Sequence, residues 1–247
     1  MKNTALWMFS VSCITGTALA GGMGPINQQT DFWVATLSMG PVWQNSGKTQ
    51  TLLLTPRIKK TYTNNNSVPA LFDGEVFLGI QKSFSERLHS QVGLALAAAT
   101  NATFSGDVWD DGNPIFNNYT YTYKVQHTHL AVKGKLLDDI GYWLIPWVSG
   151  SLGVGFNDAH SFHDTPINPD ASQTPDYGSN TSTTFTYTLG AGFQKAINVN
   201  WQVGIGYEFA DWGRSKLGGA LGQTLDNHLT LNHIYTNGVL FNLTYLA

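Results

Sequence analysis

Apolar and polar residues alternate along most of this chain with a period of two, the repeat of an extended strand and not of a helix. The cleanest stretch is 201–209, where Trp201, Val203, Ile205, Tyr207 and Phe209 share one face and Gln202, Gly204, Gly206 and Glu208 the other. In 185–193, Phe185, Tyr187, Leu189, Ala191 and Phe193 stand against Thr186, Thr188, Gly190 and Gly192. In 142–156, Tyr142, Leu144, Pro146, Val148, Leu152, Val154 and Phe156 oppose a row that includes Trp143, Trp147, Ser149, Ser151 and Gly153. The same alternation runs through Trp33, Ala35, Leu37, Met39 and Trp43, through Val76, Leu78 and Ile80, and through Val92, Leu94, Leu96 and Ala98. It returns in Val239, Phe241, Leu243 and Tyr245. These rows predict eight strands at about 33–43, 72–83, 90–105, 118–136, 142–156, 185–195, 200–213 and 233–246. The fourth is the least regular: Lys124 and Gln126 share the parity of Leu130, Val132 and Leu136, which calls for a bulge or an extension beyond the apolar zone.

The connections follow a second rule. Tight links at 83–87, 137–141 and 196–200 alternate with long polar stretches at 106–118, 157–184 and 216–230. Short turns on one rim and long loops on the other are the habit of an all-β, antiparallel up-and-down transmembrane β-barrel, whereas a soluble sandwich has no reason to collect its long loops at one end. One segment complicates the count. Residues 51–63 are strand-like, with Leu52, Leu54, Ile58 and Tyr62 on one face. They read as an extension of the first outer loop, with a ten-stranded barrel as the alternative.

The apolar rows fit lipid. Eight steps from Trp201 to Phe209 span roughly 26 Å, or roughly 20 Å along the membrane normal after a tilt of about 40°. Aromatic residues stand near the ends of the rows, where rings with an apolar body and a polar tip prefer the membrane boundary. Composition agrees: charged residues are 12%, aromatic residues 13%, and Gly numbers 26, too little charge to keep a soluble domain of this kind wet. A soluble barrel with its apolar face inward remains the plain alternative.

Residues 1–20 are set aside as a secretory signal peptide: Lys2, then an apolar core at 5–14, then Ala18-Leu19-Ala20 before Gly21-Gly22. A lipoprotein cleaved at Cys13 fits less well, since Ser10-Val11-Ser12 is a poor lead-in. Cys13 is the only cysteine, so residues 21–247, read as a single outer-membrane β-barrel domain, have no thiol for a disulfide, metal or nucleophile. The formal charge is −3, and loss of Lys2, with no acid in the leader, makes it −4. Neither value suits a nucleic-acid binder.

Glycine-rich strands such as Gly150-Ser151-Leu152-Gly153-Val154-Gly155-Phe156, Leu189-Gly190-Ala191-Gly192-Phe193-Gln194 and Val203-Gly204-Ile205-Gly206-Tyr207-Glu208 resemble those of small outer-membrane barrels of the opacity-protein, OmpX and OmpA-barrel type. The resemblance covers roughly residue 32 to the end and rests on repeated pattern, so it implies architecture more than function. It implies a bacterial outer-membrane location, contact with outer-membrane lipid, and periplasmic chaperones and the barrel-assembly machinery as partners in biogenesis. Such barrels carry a C-terminal assembly signal ending in an aromatic residue. Val239, Phe241, Leu243 and Tyr245 match it, but the chain ends in Ala247, leaving Tyr245 or Phe241 to take the aromatic role.

Candidate chemistry lies on the inward face: Glu75, Glu208, His127, His129, Lys133 and Lys135. They read either as a proton or ion relay or as charges paired to offset desolvation in a filled lumen, and the second reading is preferred. His127 with His129, and His160 with His163, supply imidazoles but no third ligand at a diagnostic spacing. Residues 109–113 (Trp-Asp-Asp-Gly-Asn) lack a calcium-loop pattern and read as an exposed turn. His160, Ser161 and Asp164 could serve a rim hydrolase, but no G-x-S-x-G elbow is present. No catalytic residue, metal or cofactor is assigned. The expectation is a non-enzymatic barrel presenting long loops for a host or surface ligand or for envelope integrity. The alternatives are a narrow diffusion channel, kept open by inward Gly93, Ala95, Ala97, Gly190, Gly192, Gly204 and Gly206, and a lipid-modifying barrel enzyme.

Overall fold

The computed structural model describes residues 31–44, 47–65, 69–167 and 176–247; the leader expected at 1–20 lies outside the described residues. The strands are β1 (Asp31–Gln44), β2 (Gln50–Thr55), β3 (Ile58–Tyr62), β4 (Ala70–Ser83), β5 (Leu88–Ala99), β6 (Ala102–Asp110), β7 (Asn117–Asp138), β8 (Ile145–Pro166), β9 (Asn180–Ala196), β10 (Trp201–Asp211), β11 (Ser215–Lys216), β12 (Thr230–Leu231) and β13 (Tyr235–Leu246). Eight of them, β1, β4, β5, β7, β8, β9, β10 and β13, pair antiparallel with their neighbours, and β13 returns to β1 to close the ring. Closure leaves no edge within the ring, so ladder bonds satisfy its backbone N–H and C=O groups as lipid requires.

The outward faces are apolar. Leu94 (57% exposed), Leu152 (62%), Leu189 (58%) and Phe241 (57%) stand on the outside, while their strand neighbours Ala95 (0%), Ser151 (3%), Thr188 (1%) and Asn242 (9%) are buried within. A soluble protein would reverse this order, so the chain is a transmembrane β-barrel that crosses lipid with its strands. Trp201 and Tyr245 meet at 4.9 Å on the turn-bearing rim, near exposed Trp33 and Trp143. Phe209 stacks on Tyr235 at 5.7 Å on the opposite rim, near exposed Trp43 and Phe72. Two aromatic girdles thus bound the apolar band. Tyr245 takes the girdle place at the C-terminal strand.

The 51–63 segment does not widen the barrel. β2 and β3 form a hairpin, and β3 lies along the outer part of β6, pairing Tyr62 with Val108 and Lys60 with Asp110. β6 in turn continues the path of β5 along β7. The ring therefore has eight strands, the number the alternating rows predict, and not ten.

The long outer connections differ from expectation. β7 and β8 are each 22 residues long, and β6, β8 and β9 occupy much of the stretches expected as loops at 106–118 and 157–184. The physical reason is an inversion of polarity. Beyond the outer girdle, Tyr119, Tyr121, Tyr123 and Val125 turn inward while Thr120, Lys124 and Gln126 face solvent, so the outward row is polar and reads as loop. This extension resolves the parity conflict at Lys124 and Gln126, since β7 alternates without a break. The bulge at Ser161 (φ 54°), which shifts the β7–β8 register between Thr122 and Lys124, lies on β8. Tyr142 to Leu144, expected in a strand, lie instead in the turn before β8, where exposed Tyr142 and Trp143 reach the membrane boundary.

Arginine replacing Ile205, midway along the outward row, should lower stability by about 2–4 kcal/mol in urea unfolding from lipid vesicles. Gln126→Ala, on the solvent-facing row outside the membrane, should stay within about 0.5 kcal/mol.

Candidate functional site

All six inward candidates converge in the lumen. β7 delivers four of them at every second residue, His127, His129, Lys133 and Lys135, while β4 supplies Glu75 and β10 Glu208. The Lys133 ammonium donates to Glu75 Oε1 at 2.6 Å, to Glu75 Oε2 at 2.9 Å and to Glu208 Oε2 at 3.0 Å. One cation thus joins strands on opposite sides of the ring. Lys135 donates to Gln194 Oε1 at 2.6 Å and lies 4.5 Å over the Trp147 ring. Neutral rungs fill the remaining levels: Thr36 with Thr244 at 2.9 Å, Gln91 Nε2 to Gln81 Oε1 at 2.8 Å, and Ser151 with Thr188 at 2.8 Å.

The inward glycines do not leave open space. A Cβ on Gly206 would stand 2.4 Å from the Trp147 ring, and one on Gly192 would stand 2.6 Å from it. The volume they release is occupied by that indole, which reverses their reading as channel space. The cavity that remains around Lys133, Glu75 and Glu208 is about 30 Å³, room for roughly one or two water molecules.

Nearer the outer rim, His127 Nδ1–H donates to Asn157 Oδ1 at 2.7 Å, and His129 Nδ1 meets His127 Nε2 at 3.0 Å. Asn157 Nδ2 donates onward to the carbonyls of Trp212 and Arg214 at 2.8 and 2.9 Å. The His127 ring stacks on Trp212 at 4.5 Å with 5° between planes. His127 is spent on the second imidazole, an amide and an indole, whereas His129 keeps a buried Nε2 with no hydrogen-bond partner. Among the described residues no three His, Cys, Asp or Glu side chains converge as a metal site would need.

Above this layer the interior becomes an aromatic core. Tyr62 meets Tyr121 edge-on at 5.5 Å and Tyr177 at 5.8 Å, Phe104 stacks on Tyr123 at 5.2 Å, and Phe162 stacks on Tyr121 at 6.0 Å. Leu217, Leu229, Leu231 and Ile234 close it from the 215–234 segment. That segment also covers the edge of β2, since the N–H groups of Thr224 and Leu225 and the Asn227 amide donate to Leu54 and Leu53 carbonyls. The outer half is thus a packed body with its own core. Burial pushes the Tyr177 phenol up to about 12, and those of Tyr62 and Tyr121 higher still.

The rim residues considered for hydrolysis do not share a face. Ser161 is exposed at the bulge, Asp164 is buried on the other side of the sheet, and His160 Nδ1 turns back to the Asp158 carbonyl of its own strand at 3.1 Å. Of the 109–113 stretch, Trp109 and Asp110 end β6 and 111–112 form the turn, with Asp110 engaged by Lys60 at 3.4 Å and by Asn118 at 2.6 Å. One arrangement escaped sequence reasoning. Buried Asp211 accepts from Gly213 N–H at 2.8 Å and from His233 Nδ1 at 2.8 Å. Its members lie on either side of the 215–231 excursion, so no spacing signals them.

No family model matches the chain, and no curated protein matches it in sequence. Among solved structures it is similar to Neisserial surface protein A, at 10% identity over 87% of this chain and 96% of that one, with a TM-score of 0.46. It is similar to the outer membrane protease OmpT of Escherichia coli, at 9% identity over 89% and 98%, with a TM-score of 0.47. It is also similar to Ail, the attachment invasion locus protein of Yersinia pestis, at 13% identity over 87% and 98%, with a TM-score of 0.34. At these identities and scores the fold assignment stands on the pairing, burial and polarity described above.

Two outcomes follow from this geometry. Lys133→Met leaves Glu75 and Glu208 facing each other unpaired and should cost about 3–5 kcal/mol in vesicle unfolding, with most of the loss recovered when both carboxylates are also replaced by Gln. The outer body should weaken in alkali. Unfolded tyrosines ionise near pH 10, whereas the buried ones hold their protons to about 12 or beyond. Stability is therefore intact below about pH 10 and falls as pH rises from there towards 12. Tyrosinate absorbance should titrate in two stages in folded protein and in one after denaturation.

Proposed function

We propose that this is a non-enzymatic outer-membrane barrel whose outer body presents a surface for interaction at the cell exterior or supports the envelope. The observation that carries the reading is the division of the molecule into a lumen filled by side chains and an outer half with its own aromatic core. A solute path would need neither the Trp147 plug nor the Lys133 ion pairs at the narrowest level. A packed body raised above the membrane costs ordering entropy that display at the surface would justify. Long strands carrying that body give a contact surface a rigid support.

The reading is tested with refolded residues 21–247 in a planar bilayer, alongside Glu208→Gln. The expected result is a silent bilayer from protein that resists SDS unless boiled. Stable conductance steps that depend on Glu208 would overturn it in favour of a diffusion channel. In cells, Tyr121→Ala should loosen the outer body, leave the barrel heat-modifiable, and reproduce the change in surface adhesion or detergent sensitivity caused by deletion of the protein. A variant that behaves as wild type where the deletion does not would count against the outer body.

A further inference from the structure

β1 and β13 are neighbours in the ring, with Gln44 paired to Thr236 at the outer end of their seam. Directly above that seam, 47–50 leaves β1 and 230–235 enters β13, and between them lies a cleft of about 460 Å³. It opens on the outer wall. Tyr235, at its base, has the outward parity of Phe241 and stacks on the girdle residue Phe209. The cleft therefore begins at the outer girdle with Tyr235 and extends outward from it to residues 47–50 and 230–233, the zone of lipid headgroups.

Its lining is rich in hydrogen-bond donors. Lys48, Thr49, Gln50, Asn232 and His233 face it, and no Asp or Glu is among its lining residues. That is notable in a chain of net charge −3 with only 13 Lys and Arg. Gln50 Oε1 is taken by the Thr230 N–H at 3.0 Å, which leaves the amide N–H₂ to donate. His233 is held on two sides. Its Nδ1 lies 2.8 Å from buried Asp211, and its ring stacks on Tyr235 at 5.4 Å with 2° between planes. Its remaining polar atom is Nε2, on a side chain that is 55% exposed. As an imidazolium the ring can bridge Asp211 on one side and an anion on the other, with the Lys48 ammonium supplying a second positive contact. The titratable groups around it are Asp211 from β10, Tyr235 from β13 and Lys48 from 47–50.

We propose that this cleft binds the phosphate of a lipid headgroup in the outer leaflet, clasped by Lys48 and His233 and oriented by Asp211 behind the ring. Two cationic contacts and several neutral donors match a tetrahedral oxyanion, and the height and outward opening favour a lipid over a soluble source. The inference rests on the membrane placement and not on the role of the outer body, so it and the bilayer experiment can fail separately.

The test is a titration of ring-labelled histidine by NMR, with residues 21–247 refolded into phosphatidylcholine nanodiscs. Phosphatidic acid in the discs should shift the His233 ring resonances in a saturable, dose-dependent way. Lys48→Gln should weaken that response about ten-fold, His233→Asn should remove the shifting signal, and Lys195→Gln at the opposite rim, over Trp143, should leave it unchanged. Heat-modifiability in SDS confirms that each variant folds. No shift with phosphatidic acid, or an equal shift with oleate at matched charge, overturns phosphate recognition. An equal shift with inorganic phosphate in undoped discs overturns the lipid as its source.

Discussion

Everything in this molecule depends on a backbone that must satisfy its own hydrogen bonds while passing through hydrocarbon. An unpaired N–H or C=O in lipid costs several kcal/mol, so the strands have to close, and the closing pair here is β1 with β13. Once the ring is closed, alternation fixes two environments at once. Every outward residue in the band meets lipid and every inward one meets a lumen too narrow for bulk solvent. The outward requirement is met by Val, Leu, Ile and Phe, with aromatic rings where the band ends.

The inward requirement is harder, because an eight-stranded ring holds little more than its own side chains. Two solutions coexist in the lumen. At the centre, Lys133 places one charge between Glu75 and Glu208, which offsets desolvation that none of the three could bear alone. Beside it, glycines on β9 and β10 let the Trp147 indole lie flat against the wall. Ionic pairing and steric filling thus meet at the same level, which is why the lumen keeps only a small cavity.

Beyond the outer girdle the solvent changes from lipid to water, and the same strands reverse their polarity, with one β7–β8 register shift at the Ser161 bulge. β7 shows this within one element: Leu130 and Val132 face lipid, whereas Lys124 and Gln126 on the same side face water and Tyr121 and Tyr123 fill a core. The outer half is then an ordinary water-soluble packing problem, solved with aromatic contacts, a β2–β3 hairpin and a strap that covers the hairpin's edge. The cleft above the β1–β13 seam lies where these two regimes meet.

The sequence by itself determined the period-two rows, hence most of the strands, a ring of eight with ten as the alternative, the face that meets lipid and the identity of the charged residues that face inward. These follow because lipid imposes one rule on every outward position, so a local pattern carries global information. Glu75, Glu208, Lys133 and the two histidines were legible for that reason. What only the tertiary structure decided is where the rule stops applying and what meets across the ring. The alternation of 118–126 looks the same whether its apolar side faces lipid or a core. The fit of Trp147 against Gly192 and Gly206, the stacking of His127 on Trp212, and the pairing of Asp211 with His233 join residues from different strands or across an irregular excursion. No local periodicity encodes those distances, because they are set by ring closure and by the path of the chain outside the membrane.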